Sequence, residues 1–334
     1  MEIIKIIYLN HLKIIAIINF IFIYSFAFSQ KITTTEFSPY SELTEYLDKT
    51  EKESLLHILQ EQNIKIIIFA FIQDAGKCLP AWDGLKVNSI HQESIINLAN
   101  SIKKHNISYH ISFGGQSGHD LALHCKDANA LFHAYEKVIK IYEPRGLDFD
   151  LEGLILKNNF ALKKMLTALK KIEQFYPQLK ITITVPVMPY GLETNEKALL
   201  KNLKRQKLNY NLNLLTMNYS LLHNKNMFNY TELALKNTAS FLNNIYKNKE
   251  TMTIYKNISV TPMIGKNDIP TEFFTQNDAQ KLVDIAKKLE LYSIHFWSLE
   301  RDKPCTKKVN LKICSGISHQ KYYEYTNIFN KINN

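Results

Sequence analysis

The sequence predicts an α/β protein that folds as a single (β/α)8 barrel without a large insertion module. β-rich apolar runs alternate with helical patterns about eight times along the chain. No linker rich in Pro, Gly or Ser, no low-complexity tract and no internal repeat interrupts residues 30–334. Such sustained alternation favours a closed parallel barrel ringed by helices over an open doubly wound sheet.

Apolar runs rich in β-branched and aromatic residues are predicted to form the eight strands. In chain order they are 33–40, 65–72, 107–114, 146–152, 180–188, 212–219, 258–263 and 292–298. Because active sites of such barrels lie at the carboxyl ends of the strands, polar residues at those ends are the candidate site residues.

Amphipathic segments between the strands are predicted to form the helices. Their apolar residues recur at spacings of three and four. The clearest segments are 93–105, 130–142, 160–175, 233–246 and 278–289.

The first 29 residues have the pattern of a secretory signal peptide. Lys5 and Lys13 precede an uncharged apolar stretch, and Ala27 and Ser29 are small residues around a plausible cleavage site. An uncleaved membrane anchor is the alternative, because the apolar stretch is near the lower limit for spanning a bilayer, roughly 17 residues. We expect cleavage after Ser29, a secreted protein (extracellular or periplasmic), and no stable membrane association afterwards.

Four cysteines, Cys78, Cys125, Cys305 and Cys314, predict two disulfides in an exported chain. Cys305 and Cys314 are close in sequence and are expected to pair, which would leave Cys78 for Cys125, but spacing does not fix the pairing. A zinc site is the alternative, yet no C-x-x-C pair or neighbouring His pair supports it. We expect neither a metal nor a cofactor.

The chain carries 41 Lys and Arg against 31 Asp and Glu, a formal net charge of +10. The basic residues are scattered, without the dense tract or stacked aromatic residues of nucleic-acid-binding proteins. A solvated basic surface and no nucleic-acid partner are therefore predicted.

The segment GLDFDLEGL (146–154) places three acids, Asp148, Asp150 and Glu152, at alternate positions of a predicted strand. Alternation puts their side chains on one face and the intervening apolar side chains on the other. Crowded carboxylates raise one another's pKa, and burying their charges is unfavourable. The stability of the fold therefore does not explain why three acids stand together. By itself the motif also fits an exposed strand edge or a divalent-metal site.

This segment resembles the fourth-strand motif of glycoside hydrolase family 18 chitinases, D-G-x-D-x-D-x-E. Asp148, Asp150 and Glu152 match the last three acids of the motif. Arg145 stands where the first aspartate of the family is usual.

Two further segments resemble the third and sixth strands of that family. ISFGGQSG (111–118) matches S-x-G-G, and its Gly114 and Gly115 would let the backbone pass close to the acids or to a sugar. LLTMNYS (214–220) matches M-x-Y with Met217 and Tyr219. The alternative for the two glycines is an ordinary turn, and the alternative for Met217 and Tyr219 is packing in the core.

HFWSLERD (295–302) resembles the eighth strand of the family, with Trp297 as the aromatic floor under the sugar; a core position is the alternative. The segments 69–84, 260–268 and 314–317 resemble a short secreted bacterial subgroup with a single catalytic barrel. Met263 is assigned to substrate binding. Trp82, in a loop with Pro and Gly, is expected to be a sugar-stacking platform or a cover for the Cys78 bridge.

The resemblance implies a retaining chitinase that cleaves β-1,4 bonds between N-acetylglucosamine units with help from the substrate itself. Glu152 would be the acid and base, and the 2-acetamido group the nucleophile. Asp150 would bind the acetamide N–H, Tyr219 the acetamide oxygen, and Asp148 would share a proton with Asp150.

Two residues differ from the family pattern, and two other functions are compatible with the sequence. Asn218 stands where the subgroup usually has Asp, which is expected to alter the pH profile, and Ser220 where many relatives have Asp or Asn. An endo-β-N-acetylglucosaminidase acting on glycoproteins uses the same acids, whereas a non-catalytic chitin-binding relative usually lacks the proton donor.

The short span from Met263 to Ser293 predicts an open cleft, and we expect a monomer that binds chitin or its oligosaccharides.

Overall fold

A computed structural model describes residues 35–47, 50, 54–221, 226–247, 251–306 and 309–333. The predicted signal peptide, 1–29, lies outside these residues, so cleavage and export stay predictions. Within the described ranges, no helix has the length and apolar character required to cross a bilayer.

Eight parallel strands form the barrel, and we number them 1 to 8 in chain order. They are Glu36–Phe37 continued by Tyr40–Glu42, Ile66–Asp74, Ser108–Gly114, Gly146–Asp150, Lys180–Pro186, Asn211–Leu215, Ile258–Thr261 and Ser293–Ile294. Each falls on a predicted strand, and the barrel fold is confirmed. The eighth is the shortest, because the chain leaves the regular ladder after Ile294.

Strand 1 closes the barrel. Its first half pairs with strand 8, Glu36 opposite Ser293, and its second half pairs with strand 2, Tyr40 opposite Ile68. Between the halves, the Tyr40 N–H donates to the Phe296 carbonyl at 3.0 Å. Each of these eight strands thereby has a partner on both sides, so the barrel is closed.

Helices connect the strands and cover the outside of the barrel. Their bounds are Leu55–Glu61, Glu93–Lys104, Leu121–His124, Ala128–Tyr142, Leu154–Lys157, Asn159–Phe175, Thr194–Arg205, Met227–Ile245, Thr251–Tyr255, Gln276–Leu289 and Glu324–Phe329. All five predicted helices are confirmed to within a few residues, apart from an earlier start for Met227–Ile245. Thr194–Arg205 was not predicted, because its few buried leucines are diluted by Lys and Asn.

Local sequence signals fix where several helices begin. Thr275 and Asp278 form a capping box: the Asp278 N–H donates to Thr275 Oγ1 at 3.2 Å, and the Thr275 N–H to Asp278 Oδ2 at 2.8 Å. Asp127 accepts the N–H groups of Asn129 and Ala130 at the start of Ala128–Tyr142. These contacts satisfy backbone donors that the first helical turn leaves free.

Both predicted disulfides form, and both predicted pairings are confirmed, Cys78 with Cys125 and Cys305 with Cys314. The first ties the loop after strand 2 to the end of helix Leu121–His124. The second closes a loop that follows strand 8.

The span from Met263 to Ser293 contains a short hairpin, Gly265–Lys266 with Phe273–Phe274, and helix Gln276–Leu289. A further short strand, Pro80–Trp82, runs antiparallel to the end of strand 2. The expected lack of a large insertion module in this span is therefore confirmed.

Asp302 anchors the C-terminal helix beneath the segment that follows strand 8. Its carboxylate is fully buried and accepts the N–H groups of Tyr325 and Thr326, the Thr326 hydroxyl and the Gln320 side-chain amide. Burial raises the pKa of Asp302 to about 6, and the bonds from Thr326 and Tyr325 oppose that rise. One side chain thus satisfies four donors.

Replacing Asp302 with Ala should lower the free energy of unfolding by roughly 3 kcal/mol or more, because buried donors lose their acceptor. Urea denaturation measures this change. The matched control is Asp284→Ala on the exposed side of helix Gln276–Leu289, with an expected change within about 0.5 kcal/mol. Equal effects of the two substitutions would contradict the anchoring role.

Candidate active site

A cavity of about 450 Å³ opens at the carboxyl ends of the strands. This volume is within the range of small-molecule sites, roughly 300 to 1,000 Å³. Residues at or just beyond the ends of strands 1, 2, 4, 6, 7 and 8 contribute to its wall, including Tyr40, Glu42, Phe71, Asp150, Glu152, Met217, Met263 and Trp297.

Strand 4 directs its acids to the inside of the barrel, as alternation requires. Asp148 and Asp150 are 1% and 4% exposed, and the apolar residues between and beside them pack outward into the core. Glu152 follows the end of the strand and lies half-buried on the cavity wall. The three acids are therefore brought together in one poorly hydrated region.

Asp148 is the best-bonded of the three acids. Its carboxylate accepts hydrogen bonds from Ser112 Oγ at 2.5 Å, Thr184 Oγ1 at 2.5 Å and the Tyr40 hydroxyl at 2.9 Å. Burial raises the pKa of Asp148 to about 6, and these three donors oppose the rise. Donors from strands 1, 3 and 5 thus favour the ionised form here.

Asp150 is in the opposite situation. Burial raises the pKa of its carboxyl well above the ordinary value, and the charges of Glu152, Asp148 and Asp120 raise it further. Its Oδ1 is buried and has no hydrogen-bond partner among the described residues. Asp150 therefore tends to hold a proton, and it presents an unsatisfied carboxyl oxygen beside the cavity.

Glu152 also holds its proton unusually tightly. Burial raises the pKa of its carboxyl to about 7, and the negative charge of Asp268 adds to the rise. A carboxyl group with a pKa near 7 is protonated at mildly acidic pH and can then donate its proton to a bound molecule.

Gly114 and Gly115 allow strand 3 to end directly against strand 4. Both have positive φ, +98° and +84°. A Cβ on Gly114 would lie 2.2 Å from the Asp150 carbonyl oxygen, and one on Gly115 would lie 2.9 Å from the Phe71 ring. The predicted close approach to the acids is present, but neither glycine is among the residues found on the cavity wall.

Trp297 forms an apolar floor of the cavity. Its ring stacks on Phe71, with centroids 5.4 Å apart and planes at 16°, and it also contacts Tyr40. Met217 and Met263 add apolar surface to the same wall. Trp297 packs against Phe71 and also lines the cavity, so it is not a purely core residue, and its contact with a sugar stays a prediction.

Tyr219 is not among the residues that line the cavity, so the structure does not support its predicted contact with a bound acetamide oxygen. The side chain is 2% exposed, and its ring packs edge-to-face against Tyr230 at 5.5 Å. Asn218 and Ser220 have left-handed φ values of +53° and +55°, which end the strand-like alternation after strand 6. Met217 and Asn218 line the cavity in its place.

Trp82 is also not part of the site, and its predicted role as an exposed sugar-stacking platform is wrong. The side chain is 0% exposed. Its Nε1–H donates to the Tyr142 hydroxyl at 2.9 Å, and its ring contacts Phe69. Packing against strand 2 and helix Ala128–Tyr142 accounts for this position.

Arg145, the departure at the start of the acid motif, lies at the amino-terminal end of strand 4. It forms an ion pair with Glu36 at the start of strand 1. The substitution is therefore at the end of the barrel opposite to the cavity.

Charged residues from three loops and strand ends were not anticipated as site residues. Glu42 ends strand 1, Asp268 follows strand 7, and Arg301 and Lys312 follow strand 8; all line the cavity. Asp268 lies in the segment 260–268 that resembles the bacterial subgroup. This resemblance is the sequence feature that could have indicated Asp268 as a site residue. Within the described ranges, no group of three His, Cys, Asp or Glu residues is arranged to hold a metal ion.

Comparisons with known proteins agree with these features. No family model matches the chain. A probable bifunctional chitinase/lysozyme of Escherichia coli is 26% identical over 270 residues, which cover 75% of this chain and 29% of that protein. Endochitinase 11 of Metarhizium anisopliae is 27% identical over 211 residues, 58% of this chain and 40% of that protein. The chain thus spans less than half the length of either curated relative.

A solved structure is similar over almost the whole chain. It is a catalytic-site mutant of active domain 2 of a thermostable chitinase from Pyrococcus furiosus, complexed with chito-oligosaccharides. The TM-score is 0.78 at 26% identity, and the match covers 90% of this chain and 95% of that one. In sequence and in fold, this chain is similar to known chitinases.

Proposed function

We propose that the protein is a chitinase that cleaves β-1,4 bonds between N-acetylglucosamine units, with retention of configuration and with the substrate's acetamide group as nucleophile. The observation that carries this proposal is the pairing of Glu152 with Asp150 on one cavity wall. Glu152 has a pKa of about 7, and Asp150 has a buried oxygen without a partner among the described residues. A proton donor and an unfilled acceptor thus lie two residues apart.

In the first step, Glu152 gives its proton to the glycosidic oxygen. The acetamide carbonyl oxygen attacks the anomeric carbon as the bond to the leaving sugar breaks, which yields a cyclic oxazolinium ion and a free hydroxyl on the leaving chain. In the second step, the Glu152 carboxylate takes a proton from water, and that water attacks the anomeric carbon and opens the ring. Two inversions at one carbon give net retention.

Asp150 is the residue that we assign to the acetamide nitrogen. Its unsatisfied Oδ1 would accept the acetamide N–H, which orients the carbonyl oxygen toward the anomeric carbon. Positive charge that develops on the acetamide would in turn be stabilised by the neighbouring carboxyl groups of Asp150 and Asp148. Asp148 itself is fixed by three donors and serves to hold this arrangement.

The apolar part of the wall would hold the sugar ring and exclude water. Trp297, backed by Phe71, offers a flat surface of the kind on which pyranose rings stack. Met217 and Met263 would flank the acetamide methyl group. Excluding water strengthens the interactions of the acids with the developing charge.

We extend the proposal to a secreted, monomeric enzyme that makes internal cuts in accessible chitin. Two disulfides support an oxidising compartment. Because the loop between strand 7 and the following helix adds only a short hairpin, the cavity is not walled by a further module there. The printed names of the relatives, which include chitinase and endochitinase, support the substrate class.

An endo-β-N-acetylglucosaminidase acting on protein-linked glycans would use the same acids. A non-catalytic chitin-binding protein is disfavoured, because Glu152 is present and holds a proton in the pH range where catalysis would occur.

The test is product analysis on N-acetylglucosamine oligomers and on one N-glycoprotein. We expect internal cleavage of the oligomers and a fall in kcat of roughly 100-fold or more for Glu152→Gln, because general acid catalysis is lost. Glu61→Gln, an exposed position at the end of helix Leu55–Glu61, is the matched control and should keep wild-type activity. A thiazoline analogue of the cyclic intermediate should inhibit. Release of glycan without oligomer cleavage would replace the proposed substrate, and an active Glu152→Gln would refute the mechanism.

The burial of Tyr219 yields a second prediction. Tyr219→Phe should change kcat/KM for the oligomers by less than about threefold, since the hydroxyl does not line the cavity. By contrast, Met217→Ala should raise KM, because it removes apolar surface from the wall. A loss of 100-fold or more in kcat for Tyr219→Phe would show that the hydroxyl touches the substrate after all.

A further inference from the structure

Asp268 is a carboxylate that the proposed mechanism does not use. It lies in the loop after strand 7 and lines the same cavity as Glu152. Strands 4 and 7 are separated by two strands in the barrel, so the two acids approach the cavity from different sides. A charge held there acts on Glu152 across the cavity.

Asn218 fixes the position of the Asp268 carboxylate. The Asn218 side-chain amide donates to Asp268 Oδ2 at 2.7 Å, and the Asp268 N–H donates back to Asn218 Oδ1 at 3.0 Å. The two bonds fix the Asn218 side chain against the Asp268 backbone, and one of them also holds the exposed Asp268 carboxylate.

Further hydrogen bonds fasten the loop after strand 6 to the loop after strand 7. The Asn218 N–H donates to Asn267 Oδ1 at 3.3 Å. The N–H groups of Tyr219 and Ser220 donate to the two carboxylate oxygens of Glu272 at 3.0 and 2.7 Å. Because the backbone on both sides is bonded, Asp268 is presented to the cavity on a fixed frame.

Charged and titratable groups reach Glu152 from several elements. Asp148 and Asp150 come from strand 4, Glu42 from strand 1, and Arg301 and Lys312 from the segment after strand 8. Asp120, from the segment after strand 3, acts on Asp150. The Arg301 guanidinium donates to the carbonyls of Ile264, Lys266 and Leu311. Burial lowers the pKa of Arg301, and the charge of Asp268 opposes this change, so this cation also faces Asp268. Burial is the main cause of the raised pKa of Glu152, and the charge of Asp268 adds to it. Asp150 and Glu152 also oppose each other's ionisation, since the charge of Glu152 raises the pKa of Asp150.

We propose that Asp268, oriented by Asn218, is a positioning residue that keeps the Glu152 carboxyl protonated and so sets the upper pH limit of the reaction. This inference rests on the proposed role of Glu152 as the acid. The inference also gives Asn218 a function. The resemblance predicts Asp at this position, but the chain has an amide there, and this amide binds Asp268 from the neighbouring loop.

The sign of the effect follows from the charge. A fixed anion near Glu152 disfavours the second anion that forms when Glu152 loses its proton. Removing the anion makes deprotonation easier, so the basic limb of the pH profile should move to lower pH.

The experiment measures the titration of Glu152 directly by infrared difference spectroscopy and, in parallel, the pH profile of oligomer hydrolysis. The carboxyl band that is absent from Glu152→Gln identifies the group. In Asp268→Asn, we expect both the infrared midpoint and the basic limb to fall by about half a pH unit or more. Asp268→Glu, which restores the charge, should return both toward the wild-type values.

Two controls separate this role from a structural one. Asp284→Asn, on an outer helix, makes the same change in net charge and should leave the midpoint unchanged. Asn218→Ala should shift it in the same direction as Asp268→Asn but by less. An unchanged Glu152 midpoint in Asp268→Asn overturns the inference, whether or not the variant is less stable. If the midpoint falls while the wild-type protein cleaves no oligomer, the coupling stands and the proposed function fails.

Discussion

The site depends on one constraint: three carboxyl groups at alternate positions of strand 4 share a poorly hydrated region inside a closed barrel. Ionising all of them there is unfavourable, so the protein must either supply donors or let protons remain bound. It does both. Asp148 receives three hydrogen bonds, whereas Asp150 and Glu152 have raised pKa values. The proposed acid is thus protonated as a consequence of burial.

The rest of the fold provides the conditions for this arrangement. Closure of the barrel by strand 1 brings the Tyr40 hydroxyl to Asp148. Gly114 at the end of strand 3 allows the backbone to pass against Asp150, where a side chain would collide with the Asp150 carbonyl. Trp297, after strand 8, stacks on Phe71 of strand 2, so that two separate parts of the barrel hold the aromatic floor. Among these contacts, the Tyr40 hydroxyl bears directly on titration, since it is one of the donors that oppose the raised pKa of Asp148.

The strands, the main helices and the acid triad could be predicted, because alternation and helical spacing are local properties of the sequence. The direction of Tyr219 could not, since it depends on left-handed residues on both sides of it, Asn218 and Ser220. Trp82 was misassigned because a loop containing Pro and Gly is usually exposed, whereas here the indole is buried under a tyrosine of a distant helix. Asp268 and Arg301 were missed for a related reason: which loops meet over the barrel is decided by tertiary packing.

A crystal structure of Glu152→Gln with a bound N-acetylglucosamine oligomer tests the central claim most directly. The account predicts that one sugar ring lies on Trp297 and that its acetamide N–H donates to the Asp150 oxygen that now has no partner among the described residues. A sugar bound away from strand 4, or an acetamide that leaves this oxygen unsatisfied, would contradict the account.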